Sequence, residues 1–328
     1  MTLTEENTVF ILGAGASVPY GYPTGFQLSQ EIKISLQNMH NDKQSWQQEQ
    51  KTLFDIFSKL GYGLEQLQQF YRCFLGAAAY SVDKFLERRP DHEELGKLLI
   101  AYVLKRKEDS HKLFIKLQED NWYAELFNRL DVTVDNIAHC RISFLTFNYD
   151  RSLEVFLQSI LENRTTKSTE AVIAAMASLP IVHVYGSLGN LPWTKSNGIA
   201  YDYTVLPDQL KRMAEGIDIM SSERETAKWK RAHELLFNAT YIYFIGFGYD
   251  ETNLRRLKIR DCMKEEKTIK GTAVGIKPSR RSEIINFFDL GERDIFSGRM
   301  GSYIELADEK TKIMEFLDST VVFKKTRE

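Results

Sequence analysis

Three side chains able to do polar chemistry stand where apolar runs stop. The stretch ISFLTFNYDRSLEVF (142–156) begins as a buried strand would and breaks at Asn148-Tyr149-Asp150, and IVHVYGS (181–187) carries His183 near the end of a similar run. An amide can orient a water or a hydroxyl, a carboxylate can accept from one, and an imidazole can take a proton near neutral pH. At neighbouring strand ends the three would form a set worth more than its parts. Each also has a plainer role on its own. Asp150 suits the cap of a helix over RSLEVFLQSILE, and His183 suits a satisfied histidine of the core.

Two glycine turns accompany them. TVFILGAGAS (8–17) reads as strand, turn and helix start, and Gly13 and Gly15 would let backbone approach a phosphate held by N–H groups and a helix dipole. The dinucleotide fingerprint wants a third glycine at position 18, where this chain has Val18. Nor does an acidic strand end follow some 20 residues later, since FQLSQEIKISL reads as a helix, which counts against an ordinary dehydrogenase. The second unit, YIYFIGFGYDETNLRRL, places Gly246 and Gly248 after an apolar strand, with Asp250 as N-cap of a helix beginning near Glu251. The two turns would line opposite sides of a nucleotide crevice, or be structural turns alone.

These residues need a frame. Apolar, β-branched and aromatic runs at 8–12, 142–147, 181–185, 240–247 and 271–276 predict strands, and SYIEL at 302–306 predicts a sixth. Runs without polar alternation suit strands covered on both faces. The fold class expected is α/β, a doubly wound, mostly parallel Rossmann-like sheet forming a single domain over 1–328. One helical insertion is expected at about 24–135, where Leu64, Leu67, Tyr71 and Phe74, then Leu95, Leu99, Tyr102 and Val103, recur at helical spacing. A loop-and-helix insertion is expected at about 187–239, opening with GSLGNLPWTKSNG.

Composition narrows the function classes. With 43% apolar residues, 27% charged residues, a net charge of −2 and a pI near 6.4, the chain has no electrostatic bias toward nucleic acid or a membrane surface. KWKR at 228–231 reads as a solvated basic face. Cys73, Cys140 and Cys262 form no CxxC pair, so neither a zinc ribbon nor a disulfide framework is expected, and no metal. The first apolar stretch is too short to span a bilayer and lacks a basic flank and a cleavage site. A cytoplasmic protein is expected.

At these same residues the chain resembles the sirtuins. GAGAS (13–17), TFNYD (146–150) and HVYG (183–186) are similar, in order, to the sirtuin glycine turn, Thr-Gln-Asn-x-Asp strand end and histidine–glycine element. Phe147 stands at the sirtuin glutamine, two residues separate His183 from Gly186, and the four zinc cysteines are missing. Without the zinc module and with a large helical insertion, the chain looks like the sirtuin-like domains of bacterial antiphage defence proteins. That resemblance implies cleavage of NAD⁺ to nicotinamide and ADP-ribose, by a gated effector that assembles with itself or with a separate regulatory partner. It implies that Asn148 positions water or ribose, that His183 contacts a ribose hydroxyl and serves as its base, and that Asp150 receives the nicotinamide amide. Gly13, Ala14, Gly15 and Ser17 would hold the pyrophosphate, with Gly246, Phe247 and Gly248 across the crevice and Thr146 and Phe147 on the strand end beside them. A protein deacylase and a non-catalytic module binding NAD⁺ or ADP-ribose are the alternatives.

Overall fold

The computed structural model describes residues 6–37, 39, 43–114, 120–219, 225–262, 267–288 and 303–320. Its centre is a six-stranded, all-parallel sheet made of β1 (Thr8–Leu12), β2 (Ile142–Thr146), β3 (Ile181–His183), β4 (Tyr241–Ile245), β5 (Thr268–Gly271) and β6 (Tyr303–Leu306). The strand order is β3-β2-β1-β4-β5-β6. β1 and β2 are buried along their whole length, as their uncharged, mainly apolar sequences require. Phe10 lies in register with Phe144 on one side and Tyr243 on the other, and the three rings stack at 5.5 and 5.4 Å. That row locks the three central strands to one another, each ring pair adding about 0.5–1.5 kcal/mol beyond its buried area.

Between β1 and β2 run α1 (Gly25–Leu36), α2 (Gln48–Lys59), α3 (Leu64–Gly76), α4 (Val82–Arg88), α5 (Glu93–Lys105), α6 (Ser110–Phe114) and α7 (Trp122–Arg129). α5 is the hub of this helical layer: apart from Lys97, every residue from Leu95 to Lys105 is buried, and α1, α4 and α10 (Pro207–Glu215) pack on it. α8 (Ser152–Asn163) and α9 (Thr169–Ala177) join β2 to β3. α10 and α11 (Ala227–Asn238) belong to the β3–β4 connection, α12 (Glu251–Leu257) lies between β4 and β5, α13 (Pro278–Phe288) follows β5, and α14 (Ile313–Thr320) follows β6. No helix among the described residues is long and apolar enough to cross a membrane.

Two expected elements are displaced. The fifth strand is Thr268–Gly271, not 271–276. Its sequence TIKG alternates, with Lys270 reaching Glu305 across the edge at 3.1 Å, so it lacks the continuous apolar run of a central strand. The apolar residues beyond it, Val274 and Ile276, line a cavity instead. The first glycine turn also does not open directly into a helix. Single 3-10 turns at Ala14–Ala16 and Val18–Tyr20 intervene, and α1 starts only after Thr24, whose side chain accepts from the Gln27 N–H while Gln27 returns a bond to the Thr24 N–H.

Candidate functional site

In an open parallel sheet the crevice lies at the carboxyl end, where connections from adjacent strands leave in opposite directions; here that is the β1/β4 boundary. A cavity of about 520 Å³ sits there. Ala14, Gly15 and Val18 line it from the first turn, Gly246, Phe247 and Gly248 from the second, and Thr24 and Gly25 from the start of α1. Lys312 and Asp120, 3.6 Å apart, stand at its rim, and Val274, Ile276, Ile313 and Met314 supply an apolar wall. The two turns are stitched to each other, Gly13 N–H donating to Ile245 O (3.0 Å) and Gly15 N–H to Gly246 O (2.9 Å). Glycine is required for that contact: a Cβ on Gly13 would come within 2.6 Å of Gly246 O, and a Cβ on Gly246, whose φ is +58°, would fall 2.0 Å from the Ala16 nitrogen. Of the N–H groups from Gly13 to Ser17, all but that of Ala14 donate to backbone carbonyls, so an anion here would be met by Ala14 and the first turn of α1.

Asn148 and Asp150 lie directly beneath this turn. The Asn148 Nδ2 donates to Gly13 O and to Ser17 Oγ, both at 3.0 Å, and the Ser17 hydroxyl in turn donates a hydrogen bond to Asp150 Oδ2 at 2.7 Å. Asp150 Oδ1 takes the Ser152 N–H at 3.1 Å and also the Ser152 hydroxyl. Asp150 therefore does tie down the start of α8, one residue ahead of its N-cap, while holding Ser17 with its other oxygen. Burial raises its pKa, and the hydroxyls of Ser152 and Ser17 and the Ser152 N–H pull it back. The Thr146 hydroxyl accepts the Asn148 N–H at 3.0 Å and holds the strand end in place. The half-buried Asn148 keeps its Oδ1 free of any hydrogen bond among the described residues.

His183 closes β3, in register with Thr146. Its Nδ1 donates to Asn148 O at 2.8 Å and its Nε2 faces Glu154 Oε1, on the first turn of α8, at 2.6 Å. Burial alone would lower its pKa, but the Glu154 carboxylate overrides this and raises it; reciprocally, burial opposes the charge on Glu154 and His183 pulls its pKa below the usual range.

Asn148, Asp150, His183 and the first glycine turn are thus one connected unit, yet they do not share one cavity. His183, Gly186 and Ser187 line a separate hollow of about 500 Å³ with Lys228 and Arg231. From Phe247, in the wall of the first cavity, runs a row of rings: Phe247 against Phe147 (4.9 Å), and Phe147 against Tyr185 (5.6 Å) and Trp229 (6.1 Å). The Arg256 guanidinium covers Tyr185 and Trp229 at 5.3 and 5.2 Å. The 228–231 segment is therefore only in part a solvated basic face, because Trp229 is 4% exposed and belongs to this row.

A buried ion cluster anchors the strand end to the helical layer. Arg151 grips both oxygens of Glu108 at 2.7–2.9 Å and donates to Ile199 O at 2.9 Å; Lys105 reaches Glu108 at 2.9 Å and Ala200 O at 2.6 Å. All three charged side chains are essentially inaccessible. Charges this deep persist only when paired and fully hydrogen-bonded, and this set is. Sequence reasoning missed Glu154, Glu108, Trp229 and Lys312. Only Glu154 had a signal, lying four residues past Asp150 in the first turn of the helix that follows it.

No family model matches the chain, and no curated protein matches it significantly.

Proposed function

We propose that this chain cleaves the nicotinamide–ribose bond of NAD⁺, releasing nicotinamide and ADP-ribose. The observation that carries the reading is that the Gly13–Ser17 turn and the Asn148–Asp150 strand end form one hydrogen-bonded unit beside a cavity at the β1/β4 boundary. The resemblance of GAGAS, TFNYD and HVYG to sirtuin motifs supplies the substrate. The chemistry suits a site without paired catalytic carboxylates: nicotinamide leaves as a neutral ring from a cation, so no general acid is needed. What the site must supply is a held ribose, an oriented water and stabilisation of a cationic anomeric carbon. Asn148 Oδ1 is the free acceptor for the water or a ribose hydroxyl, and His183 lies one hydrogen bond from the Asn148 backbone. Asp150 serves by holding Ser17 and Ser152 in this conformation, its two oxygens being taken up by them. Ala14, the start of α1 and Lys312 suit the pyrophosphate.

A cellular role as a gated effector of antiphage defence, switched by self-assembly or a partner protein, fits the same reading. One observation favours a second one, a non-catalytic binder of NAD⁺ or ADP-ribose: His183 lines a different cavity from the one that the glycine turns line.

The deciding experiment incubates the purified protein with NAD⁺ and follows nicotinamide and ADP-ribose by chromatography, with Asn148→Ala in parallel. Turnover reduced by about 10²-fold or more in a folded variant is the expected result. NAD⁺ binding without turnover in either protein would select the binder, and O-acyl-ADP-ribose formed from an acylated peptide would select a deacylase.

A further inference from the structure

Glu154 is the carboxylate that faces His183 from α8. It stands in the first turn of α8, where the helix dipole favours a carboxylate, yet its Oε2 is buried with no hydrogen-bond partner among the described residues. A buried oxygen left unmet costs free energy that a residue kept only for packing would not need to incur. Its other oxygen lies 2.6 Å from His183 Nε2.

The opposite ring nitrogen settles what lies on that line. Nδ1 faces the backbone carbonyl of Asn148 at 2.8 Å, and a carbonyl can only accept, so Nδ1 carries a hydrogen. Were Nε2 bare, its lone pair would point at a carboxylate oxygen; a proton must therefore be shared between Nε2 and Oε1. We propose that Glu154 is the positioning residue for His183, fixing the ring against the Asn148 backbone and holding a proton on it in the resting protein.

This rests on the NAD⁺-cleaving reading and deepens it. A His183 that donates from both nitrogens is no base, so a base role for a ribose hydroxyl begins only when this proton leaves. The other charged groups around the ring are Asp150 from the β2 end, Arg151 at the N-cap of α8, and Lys228 and Arg231 from α11 across the shared hollow. Arg151 is committed to Glu108, and Lys228 and Arg231 to Asp218 and Glu234, which leaves Glu154 as the carboxylate in direct contact with the ring.

Two readouts test this on the full chain. Nitrogen-15 NMR of labelled histidine, assigned with His183→Gln, reports ring protonation directly. Wild-type His183 should stay doubly protonated to a higher pH than in Glu154→Gln, by about one pH unit or more. A neutral wild-type ring at pH 6, or identical titrations in the two proteins, would overturn the proposal; the wild-type result decides even if the variant does not fold. In the NAD⁺ assay the acid limb of the Glu154→Gln profile should move to lower pH, with kcat down about tenfold or more, KM little changed and partial recovery in Glu154→Asp. An unmoved acid limb would also overturn it. Absence of NAD⁺ cleavage in the wild type removes the functional reading while the NMR outcome still stands.

Discussion

The Ser17 hydroxyl is the smallest part on which the site turns, because it accepts from Asn148 and donates to Asp150 at once. Ser17→Ala should leave one Asn148 proton and one Asp150 oxygen without a partner, costing about 1–3 kcal/mol. A lowered urea midpoint with an unchanged slope checks this, and an unaltered midpoint would show that the relay carries no weight. The His183–Glu154 pair has its own pH signature. The folded pKa of His183 lies above its ordinary 6.5, so its contribution is full below that value and fades as pH rises through the folded one. The folded pKa of Glu154 lies below its ordinary 4.5, so its contribution is present above that value and fades as pH falls. The stability gap between wild type and Glu154→Gln should therefore be widest between about pH 4.5 and 6.5; a gap that keeps widening above pH 8 would contradict this assignment.

At the scale of elements, two junctions hold the site in register. The first is backbone on backbone, where the turns after β1 and β4 meet. Gly246→Ala would combine a left-handed φ of +58° with a Cβ driven into Ala16, and should cost at least about 1–3 kcal/mol. A melting temperature within a degree of wild type would show that the turns can part. The second is the Lys105–Glu108–Arg151 cluster, which ties the end of α5 to the residue next to Asp150. Glu108→Ala strands two buried cations and should cost about 3–5 kcal/mol, against far less for Glu305→Ala, where an exposed carboxylate meets Lys270 at the sheet edge. Equal effects in denaturant melts would mean the buried cluster is no anchor.

For the whole molecule, the sheet order places the crevice at β1/β4, and the cavity lined by the glycine turns there is a different one from the hollow lined by His183. A ligand that binds only the folded chain raises its stability by mass action. NAD⁺ at about 100 times its Kd should add about 2.7 kcal/mol. Thermal melts across an NAD⁺ series check this, and no shift at millimolar NAD⁺ would argue against the cavity as a nucleotide site.

What the sequence determined by itself is what neighbouring residues decide. Uncharged, mainly apolar runs specify β1, β2 and β4, glycines mark the turns after β1 and β4, and Asp250 caps α12 through the N–H groups of Thr252 and Asn253. The same locality placed β5 wrongly, since an apolar run that lines a cavity reads like one that fills a sheet. Tertiary structure alone decided which groups meet. Ser17 and Asp150 are 133 positions apart, Asn148 and Gly13 135, and Arg151 and Glu108 43, and no periodicity encodes pairings at such separations. Glu154 and Trp229 were legible only as members of amphipathic helices. Their chemistry comes from what the folded sheet sets against them, a histidine at the end of β3 and the rings beyond the ends of β2 and β3.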